Sequence, residues 1–530
     1  MQIAKIIITC CLALTGLLAG TAHALTVAER LALAAGDNDQ RIAALARVVA
    51  VGDPGASPFL KSLLDDNVKL VGNKIFVVDA GAAINAATGD HVELPADAED
   101  VVNNNRMRSE LGAAIAALDL RSPDAAVRLQ AALALRQADA ADSTFALVVQ
   151  AEKTEQDKKI QTILAEIRAG IELHSTDVVL RLKAARELAA STSAEMRQLL
   201  VGRLEPGGEA DPEVRSAIAT SLRALDQRLV YFEVAGTVFT GLSLGSVLLL
   251  AALGLAITYG LMGVINMAHG EMMMLGAYAT YLVQNLFRQF APAWFDAYIL
   301  VAIPVAFILT AIIGMLLERT IIRHLYGRPL ETLLATWGIS LILMQLVRTL
   351  FGAQNVEVEN PGWMSGGIEL ASNLVLPYNR ITIILFSLAV LLLVWTLLNK
   401  TRLGLFVRAV TQNRSMAGCV GVNTARIDAW AFGLGSGIAG LAGVALAQIG
   451  NVGPDLGKTY IVDSFMVVVL GGVGQLAGTV YAALGLGVLS KFLEGYAGAV
   501  LAKIIVLVII IIFIQKRPQG IFALKGRSVD

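Results

Sequence analysis

The amino-acid sequence predicts an all-α polytopic membrane protein, preceded by a soluble domain of HEAT-like helical repeats with a small β-hairpin insertion. Two observations support this fold class. Residues 25–229 are rich in Ala, Asp, Glu and Arg, as expected for the amphipathic helices of a soluble domain. From Val230 onward the chain consists of apolar runs of about twenty residues, the length of a helix that crosses the hydrocarbon core of a bilayer.

Residues 1–24 are predicted to be a secretory signal peptide. The segment carries a positive charge near its start, then an apolar stretch and the cleavage-site pattern Ala-His-Ala. The alternative is a first transmembrane anchor, which the shortness of the apolar stretch argues against. Cleavage would remove Cys10 and Cys11 and leave Cys419 in the membrane part, so the exported domain must fold without disulfides.

The charge balance differs between the two parts of the chain. Residues 25–229 contain 23 Lys and Arg against 30 Asp and Glu, a net charge of −7. Residues 230–530 contain 18 against 13, a net charge of +5. The acidic balance of the soluble domain argues against nucleic-acid binding.

Residues 25–229 contain helical segments that resemble one another. SPDAAVRLQAALAL (residues 122–135) and DPEVRSAIATSL (residues 211–222) share a Pro, an acidic residue, Val-Arg and an Ala-rich apolar face. We expect the preceding Ser or Asp to cap each helix, with Pro at the first helical position. A spacing near 35–45 residues suits a HEAT-like solenoid. Residues 74–95 interrupt this pattern with β-branched residues and a Thr-Gly-Asp turn, which predict the β-hairpin.

The positions of Lys and Arg predict the orientation of the membrane domain, residues 230–530. Basic residues gather in 319–328, 400–426 and 516–527, which should therefore be cytoplasmic. Residues 352–379 contain three Glu and no Lys or Arg, and should be periplasmic together with the N-terminal domain. This pattern predicts about eight spans, the recognisable ones lying near 238–259, 268–287, 298–317, 331–350, 380–398, 428–449 and 499–515.

Residues 461–493 are too long for one span and are interrupted by GGVGQLAG. The span near 428–449 ends in the periplasm, and the last span must end in the cytoplasm. Residues 461–493 must therefore begin and end on the periplasmic side. Either a re-entrant hairpin that enters and leaves from the periplasmic side or two full spans satisfies this condition. The short arms on either side of the interruption favour the hairpin.

GVINMAHGE (residues 263–271) is another interruption, and it places His269 and Glu271 inside an apolar run. An ionisable group within the membrane is costly and usually faces a pathway or a partner. Interrupted apolar segments in two halves of a membrane protein indicate a transport site, since unwound backbone can face a solute there.

No motif indicates catalysis. GPDLGKT (residues 453–459) has one residue too few between its glycines for a phosphate-binding loop, and it lies between spans on the predicted periplasmic side. No nucleophile–base pair and no metal-ligand spacing stands out in the sequence. The sequence therefore predicts neither an enzyme nor a cofactor or metal site.

Five motifs in the same order resemble the permease subunits of branched-chain amino acid and urea ABC transporters, over about residues 235–523. Within that family, the ATW variant, the stretch FGAQNVEVENPGWMSGGIEL and the exported domain resemble the urea permease. The resemblance implies an ATP-driven importer of urea or a close short-chain amide. Branched-chain amino acids are the alternative within the family, and a passive amide channel or a sensor is the alternative from another class. The motifs are LGLAITYGLMGVINMAHGEMMMLGAY, RPLETLLATWGISLILMQ, TRLGLFVRAVTQNRSMAGCVGVNTARI, VVVLGGVGQLAGTVYAALGLG and KRPQGIF.

The same resemblance implies the partners of the chain. They are a second permease subunit, which we expect to form a heterodimer with this one, two cytoplasmic ATPase subunits and a periplasmic solute-binding protein. The chain itself would have no ATPase site and would reside in the inner membrane of a bacterium. For the soluble domain, a docking surface for the binding protein and a scaffold role both remain open.

Polar side chains in otherwise apolar segments are the candidates for the solute pathway. A small neutral amide needs fixed donors and acceptors, because a group desolvated without a partner costs about 1–3 kcal/mol. The alternatives are structural: His269 and Glu271 pair with each other or with a neighbouring helix, and others cap a helix or bond between helices. The candidates are Asn266, His269, Glu271, Thr336, Gln345 and Gln475.

The predicted cytoplasmic loop 400–426 is a second candidate site. From its family position, we expect a short helix around residues 404–416 to rest in a groove of the ATPase. The alternative for its basic residues is the ordinary excess of positive charge on the cytoplasmic side. GLGSG (residues 433–437) predicts a close contact between helices. The candidate coupling residues are Gly404, Arg408, Asn413 and Arg414.

Overall fold

The computed structural model describes residues 25–79, 82–88, 90–95, 97–137, 144–263, 266–371 and 374–522. The predicted signal peptide lies outside these residues. The chain divides into two compact units, Met1–Val230 and Tyr231–Asp530. Both units are mostly helical, and each has its own apolar core.

The described part of the first unit contains nine α-helices and one sheet. Side-chain oxygens of Asp37, Asn104, Asp157 and Asp177 accept hydrogen bonds from the first turns of four of the helices, which otherwise leave backbone donors unpaired. A further helix, α10 (Pro212–Met262), begins in this unit and ends in the second. The nine helices are α1 (Val27–Ala34), α2 (Asn38–Val51), α3 (Ser57–Leu64), α4 (Asn105–Asp119), α5 (Ala125–Gln137), α6 (Phe145–Thr154), α7 (Lys158–Glu172), α8 (Val178–Glu187) and α9 (Ala194–Leu204).

The predicted placement of Pro at helix starts is confirmed at one site and wrong at the other. Pro212 is the first residue of α10, and Oδ1 of Asp211 accepts a hydrogen bond of 2.9 Å from the N–H of Glu213. Pro123 lies outside α5. There the carboxylate of Asp124 accepts the bond from the second residue of the helix, so the helix begins after the aspartate and not at the proline.

A partly buried Arg–Glu contact occurs twice along the first unit. Arg128 forms two hydrogen bonds with Glu155, of 2.8 and 3.1 Å, and Arg181 forms the same two with Glu209, of 3.0 and 3.1 Å. Each Arg also donates to two backbone carbonyls that precede its own helix. Arg128 and Arg181 are 53 residues apart, which exceeds the expected spacing of 35–45. The HEAT-like assignment stays a prediction.

The inserted β-structure is larger than the predicted hairpin. Five antiparallel strands form a sheet in the order β4-β3-β2-β1-β5, so strands on both sides of residues 74–85 join it. The sequence did not indicate β4 and β5, because two residues are too few to show the alternation of a strand. The strands are β1 (Val68–Val71), β2 (Lys74–Asp79), β3 (Ala82–Asn85), β4 (His91–Val92) and β5 (Glu99–Asp100).

The second unit is a bundle of helices with a small hairpin of two strands. Among the described residues, six helices are long and apolar enough to cross a membrane, and each overlaps one of the predicted spans. The predicted span 268–287 corresponds to α11, which is not among the six. The elements after α10 are α11 (His269–Phe290), α12 (Tyr298–Thr320), α13 (Pro329–Phe351), β6 (Gly367–Ala371), β7 (Leu374–Pro377), α14 (Tyr378–Lys400), α15 (Arg402–Gln412), α16 (Arg414–Cys419), α17 (Thr424–Ala447), α18 (Leu456–Gly471) and α19 (Leu476–Lys516).

The interruption between α18 and α19, residues 472–475, differs from the expected re-entrant turn. A Cβ atom on Gly520, which follows the last helix, would lie 2.7 Å from Cα of Gly472, and the N–H of Ile521 donates to the carbonyl of Leu470 at 2.9 Å. The turn therefore reaches the same end of the bundle as the residues after α19. This position fits the alternative of two full passes. A re-entrant hairpin that enters and leaves from the periplasmic side does not explain why the turn reaches the residues after α19. The number of spans stays a prediction.

The close contact predicted for GLGSG is confirmed and lies within this chain. A Cβ on Gly433 would approach the side chain of Met315 to 2.6 Å, and one on Gly437 would approach the ring of Phe307 to 2.5 Å. Both neighbours belong to α12. Helices α12 and α17 are therefore closely packed along their length.

Candidate functional site

The two glycine-containing interruptions lie next to each other. The first break, residues 263–268 between α10 and α11, begins with Gly263 in the left-handed conformation (φ 65°), which favours glycine. Three residues earlier in α10, a Cβ on Gly260 would lie 2.9 Å from Cα of Gly474 in the second break, residues 472–475. The pairing of the two breaks was not visible in the sequence, because more than 200 residues separate them.

A cavity of about 250 Å³ lies beside the first break. Its walls come from α10, the first break, α13 and α18. The lining is chiefly aliphatic and aromatic, and the Asn266 amide is one of its few polar groups. The lining residues are Leu255, Tyr259, Asn266, Met267, Leu333, Ile461, Val462 and Phe465.

Asn266 holds the turn that leads into α11 and also borders the cavity. Its Oδ1 accepts a hydrogen bond of 3.0 Å from the N–H of Ala268, two residues further on. Its Nδ2 is buried and has no hydrogen-bond partner among the described residues. The structural role predicted as the alternative is therefore present, and the unpaired Nδ2 is buried beside the cavity.

His269 is fully buried against a neighbouring helix. Its Nε2–H donates a hydrogen bond of 3.0 Å to the carbonyl of Ala251 in α10. A Cβ on Gly254 would approach Cε1 of the ring to 2.9 Å, so glycine leaves the room that the imidazole occupies. His269 fastens α11 to α10, and it is absent from the cavity lining.

Glu271 is also buried, and it contacts a different helix. The hydroxyl of Ser340 in α13 donates a hydrogen bond of 2.8 Å to its Oε1, and Oε2 has no partner among the described residues. The structure shows no hydrogen bond between Glu271 and His269. Of the two structural alternatives, pairing with a neighbouring helix is the one found.

Among the described residues, Thr336 bonds to the first break and not, as its predicted alternative role required, to another helix. Its Oγ1 donates to the carbonyl of Thr332 at 2.8 Å and accepts from the N–H of Met267 at 3.2 Å. This contact joins α13 to the first break.

Gln345 and Gln475, the other two predicted pathway residues, take no part in the contacts described above. The side chain of Gln345 is exposed, and no hydrogen bond of it is seen in the described part of the chain. Gln475 is half-buried and precedes α19, where its backbone carbonyl accepts from the N–H and the hydroxyl of Thr479 at 3.0 Å each. It does not line the cavity.

The predicted coupling helix is two helices. α15 and α16 are separated at Asn413, whose backbone is extended (φ −152°, ψ 102°) and whose side chain accepts from the N–H of Met416 at 3.0 Å. A Cβ on Gly404 would collide with the carbonyl of Leu398, so glycine permits the sharp turn from α14 into α15. The sequence did not show the division, because Asn is compatible with the interior and with the cap of a helix.

Arg408 and Arg414 face different surroundings. The side chain of Arg408 is exposed beside the exposed apolar side chains of Leu405 and Phe406. Arg414 instead pairs with Asp428, the fifth residue of α17. Arg414 thus joins α16 to α17, whereas Arg408 lies on the outer surface of α15.

Sequence reasoning missed Ser340 and Asp428, the buried partners of Glu271 and Arg414. It also missed Tyr326, whose ring lies under the Arg414 guanidinium, and Glu318, which accepts a hydrogen bond from the Tyr326 hydroxyl. Asp428 and Glu318 were visible as charged residues at the ends of apolar runs, a signal for a paired charge. Ser340 and Tyr326 gave no such signal. The described residues contain no cluster of three or more His, Cys, Asp or Glu side chains that could hold a metal ion.

The chain is similar to known proteins over the second unit. The family described as branched-chain amino acid transport system, permease component, matches residues 237–514. The high-affinity branched-chain amino acid transport system permease proteins BraD of Pseudomonas aeruginosa and LivH of Salmonella typhimurium are each 29% identical to it, over 285 and 304 residues. These alignments cover 53% and 56% of this chain and 93% and 97% of the relatives. LivH of Escherichia coli is 28% identical over 304 residues, with the same coverage as LivH of Salmonella. No solved structure matches.

Proposed function

Since this chain belongs to the family of branched-chain amino acid transport permeases, we propose that it is the membrane subunit that carries solute in an ATP-driven importer. The meeting of the two helix breaks supports this function. Broken helices leave backbone groups that can face a solute within the membrane. The cavity lies where the first break meets α10, α13 and α18.

The first candidate solute is a branched-chain amino acid. The cavity wall is largely aliphatic and aromatic, and burial of a branched side chain there would stabilise the complex by about 0.8 kcal/mol per CH₂ group. The unpaired Nδ2 of Asn266 could donate to a carboxylate or carbonyl oxygen of the same solute. The names of the relatives agree with this solute class.

The second candidate is urea or a short-chain amide. Little more than half of this chain aligns with 93–97% of the length of the relatives. The family match covers residues 237–514, so residues 25–229 lie outside it. The extra domain, the ATW variant and the stretch from Phe351 to Leu370 set this chain apart from the amino acid permeases and support the urea subclass.

Uptake by the reconstituted complex separates the two solutes. We expect ATP-dependent uptake of radiolabelled leucine, urea or both in proteoliposomes that contain this chain, its partner permease, the ATPase subunits and the binding protein. Leucine uptake that excess urea does not inhibit would select the first candidate, and the reverse would select the second. Absence of ATP-dependent uptake for every small amide and amino acid tested would contradict the importer itself.

The cavity is tested by filling it. Ile461→Trp should reduce uptake strongly, because the indole would occupy the space beside Asn266. Ile504→Trp, at an exposed position of α19, is the matched control and should leave uptake unchanged. The double variant His269→Ala, Gln475→Ala tests the two breaks together. Because neither side chain lines the cavity, normal uptake by that variant at normal abundance would show that these two side chains are not needed for the route.

The orientation is also proposed: residues 25–229 in the periplasm and the C-terminus in the cytoplasm of a bacterium, with the chain in the inner membrane. The clusters of basic residues support it. Cys419 is exposed and would be the single cysteine after removal of a signal peptide. A membrane-impermeant thiol reagent should therefore label inside-out vesicles and spare spheroplasts. Labelling of spheroplasts would reverse the orientation.

Two roles are proposed for residues 25–229: a docking surface for the binding protein, or a scaffold for the assembled complex. Deletion of residues 25–210 should lower the affinity of the complex for the binding protein if the domain is a docking surface. It should lower the amount of assembled complex if the domain is a scaffold. Pull-down of the binding protein and size-exclusion chromatography of the complex measure the two effects separately.

A further inference from the structure

A cluster of charged and aromatic side chains joins the coupling segment, residues 400–426, to the ends of two membrane helices. The guanidinium of Arg414 forms an ion pair with Asp428 in α17, whose side chain is fully buried. The same guanidinium lies over the ring of Tyr326, 4.8 Å from its centroid. Tyr326 follows α12 in the chain. The Arg414 side chain in α16 therefore contacts both α17 and the segment that follows α12.

From this geometry we infer that Arg414 is a positioning residue that transmits movement of the coupling segment to α12 and α17. The inference rests on the proposed function, because an importer needs such a transmission between its ATPase and its pathway.

The contact continues from Tyr326 into α12. The Tyr326 hydroxyl donates a hydrogen bond of 3.0 Å to Oε1 of Glu318, a fully buried residue in the last turn of α12. Arg323 lies 3.6 Å from the other oxygen of Glu318. The carboxylates of Glu318 and Asp428 each have a cationic neighbour, as buried charges require. The cluster is thus fixed at both helices.

Helices α12 and α17 can carry a displacement as one body. A Cβ on Gly440 of α17 would collide with the side chain of Thr310 in α12, so the backbone of α17 has no free space there. Helix α17 in turn touches α10, where a Cβ on Gly435 would approach the side chain of Thr258 to 2.6 Å. A shift of α17 therefore reaches the helix that ends at the first break, because closely packed backbones have no room to absorb it.

Both α15 and Arg414 are accessible on the coupling segment. Leu405, Phe406 and Arg408 of α15 are exposed, and the Arg414 side chain keeps 42% of its surface exposed while its guanidinium contacts Asp428 and Tyr326. This attachment to α17 and to Tyr326 distinguishes Arg414, so transmission is assigned to Arg414 and docking to α15.

The test compares three variants of the full complex. Arg414→Gln removes the charge that pairs with Asp428. Arg426→Gln makes the same substitution at an exposed position of the same segment and is the matched control. Arg414→Asp combined with Asp428→Arg restores the pair with the charges exchanged. For each complex, the amount of ATPase subunit that copurifies and the number of solute molecules taken up per ATP hydrolysed are measured.

We expect Arg414→Gln to retain the ATPase subunits and to lower uptake per ATP by about tenfold, a common size for coupling between two sites. Arg426→Gln should match the wild type, and the exchanged pair should recover part of the loss. Should Arg414→Gln not fold, Tyr326→Phe provides the test, since it keeps the ring and the ion pair and removes the hydrogen bond to Glu318. Its uptake per ATP should fall by a smaller factor.

Loss of the ATPase subunits from the Arg414→Gln complex would identify Arg414 as a docking contact and overturn the inference. Unchanged uptake per ATP in both Arg414→Gln and Tyr326→Phe would also overturn it. If the wild-type complex hydrolyses ATP without any link to uptake, the proposed function is wrong, and the inference falls with it.

Discussion

The hydroxyl of Ser340 donates a hydrogen bond of 2.8 Å to the carboxylate of Glu271, and this bond joins α13 to the first turn of α11. Both residues are buried, and the second oxygen of Glu271 has no partner in the described part of the chain. The bond therefore provides a partner for one of the two oxygens of a carboxylate that lies within the membrane domain.

Replacement of Ser340 by Ala should destabilise the protein, because it leaves the carboxylate of Glu271 without this donor. The expected decrease in the free energy of unfolding is about 1–3 kcal/mol. Thermal unfolding in detergent measures it. Thr349→Ala, which removes an exposed hydroxyl bonded to its own helix, is the control. Equal effects of the two variants would mean that the Ser340–Glu271 bond does not stabilise α11.

Gly478 should not tolerate a side chain. A Cβ on Gly478 would collide with the carbonyl of Gly471, where α18 and α19 cross. We expect Gly478→Ala to cost about 1–3 kcal/mol of stability, as overpacked sites do. Gly485 lies in the same helix, and a Cβ there would meet no atom within 4 Å, so Gly485→Ala is the matched control and should be neutral. The fraction of monodisperse protein after extraction is the measurement, and equal fractions would contradict the predicted clash.

Acid should weaken the Arg–Glu contacts of the first unit. The hydrogen bond from Arg128 lowers the pKa of Glu155. Burial raises the pKa of Glu209, but hydrogen bonds from the Asp211 N–H and from Arg181 outweigh it, so its pKa is lowered too. Their stabilisation is therefore complete above the ordinary glutamate pKa of about 4.3 and is lost as the pH falls through the lowered values.

Amide hydrogen exchange in α5 and α8 of the full-length protein, corrected for the intrinsic effect of pH, measures this loss. Glu155→Gln and Glu209→Gln should each speed exchange at neutral pH and reduce its additional increase in acid. Asp39→Asn, in the exposed pair with Arg106, serves as control and should have little effect. If both Glu variants keep the full increase of exchange in acid, other groups cause that increase and the prediction is wrong.

Removal of the Tyr298 hydroxyl should loosen the segment that follows α13. This buried hydroxyl donates a hydrogen bond of 2.7 Å to the carbonyl of Glu359 and accepts one of 3.1 Å from Gln448. Tyr298→Phe should cost about 0.5–1.5 kcal/mol and speed proteolysis between residues 352 and 366. Tyr281→Phe, at a ring that packs on Phe351, is the comparison. Cleavage at the same rate in both variants would show that the hydroxyl does not hold the segment.

The apolar runs were sufficient to predict most of the membrane helices. The expected span 331–350 is α13 (Pro329–Phe351), and 380–398 is α14 (Tyr378–Lys400). The length and composition of a run are local properties, and they suffice because a membrane requires each spanning segment to satisfy its own backbone. Short elements were less predictable: β5 pairs with the distant strand β1, and Asn413, which separates α15 from α16, is compatible with both the interior and the cap of a helix.

The partners of the polar residues could not be predicted in this way. The sequence by itself determined that His269 and Glu271 lie within an apolar run, where an unpaired group carries a desolvation cost, and that Arg414 lies in a basic loop between spans. Only the tertiary structure decided that His269 bonds to Ala251, Glu271 to Ser340 and Arg414 to Asp428. The physical reason is that a hydrogen bond depends on a few ångströms of separation between helices, and helix packing, not sequence distance, sets that separation.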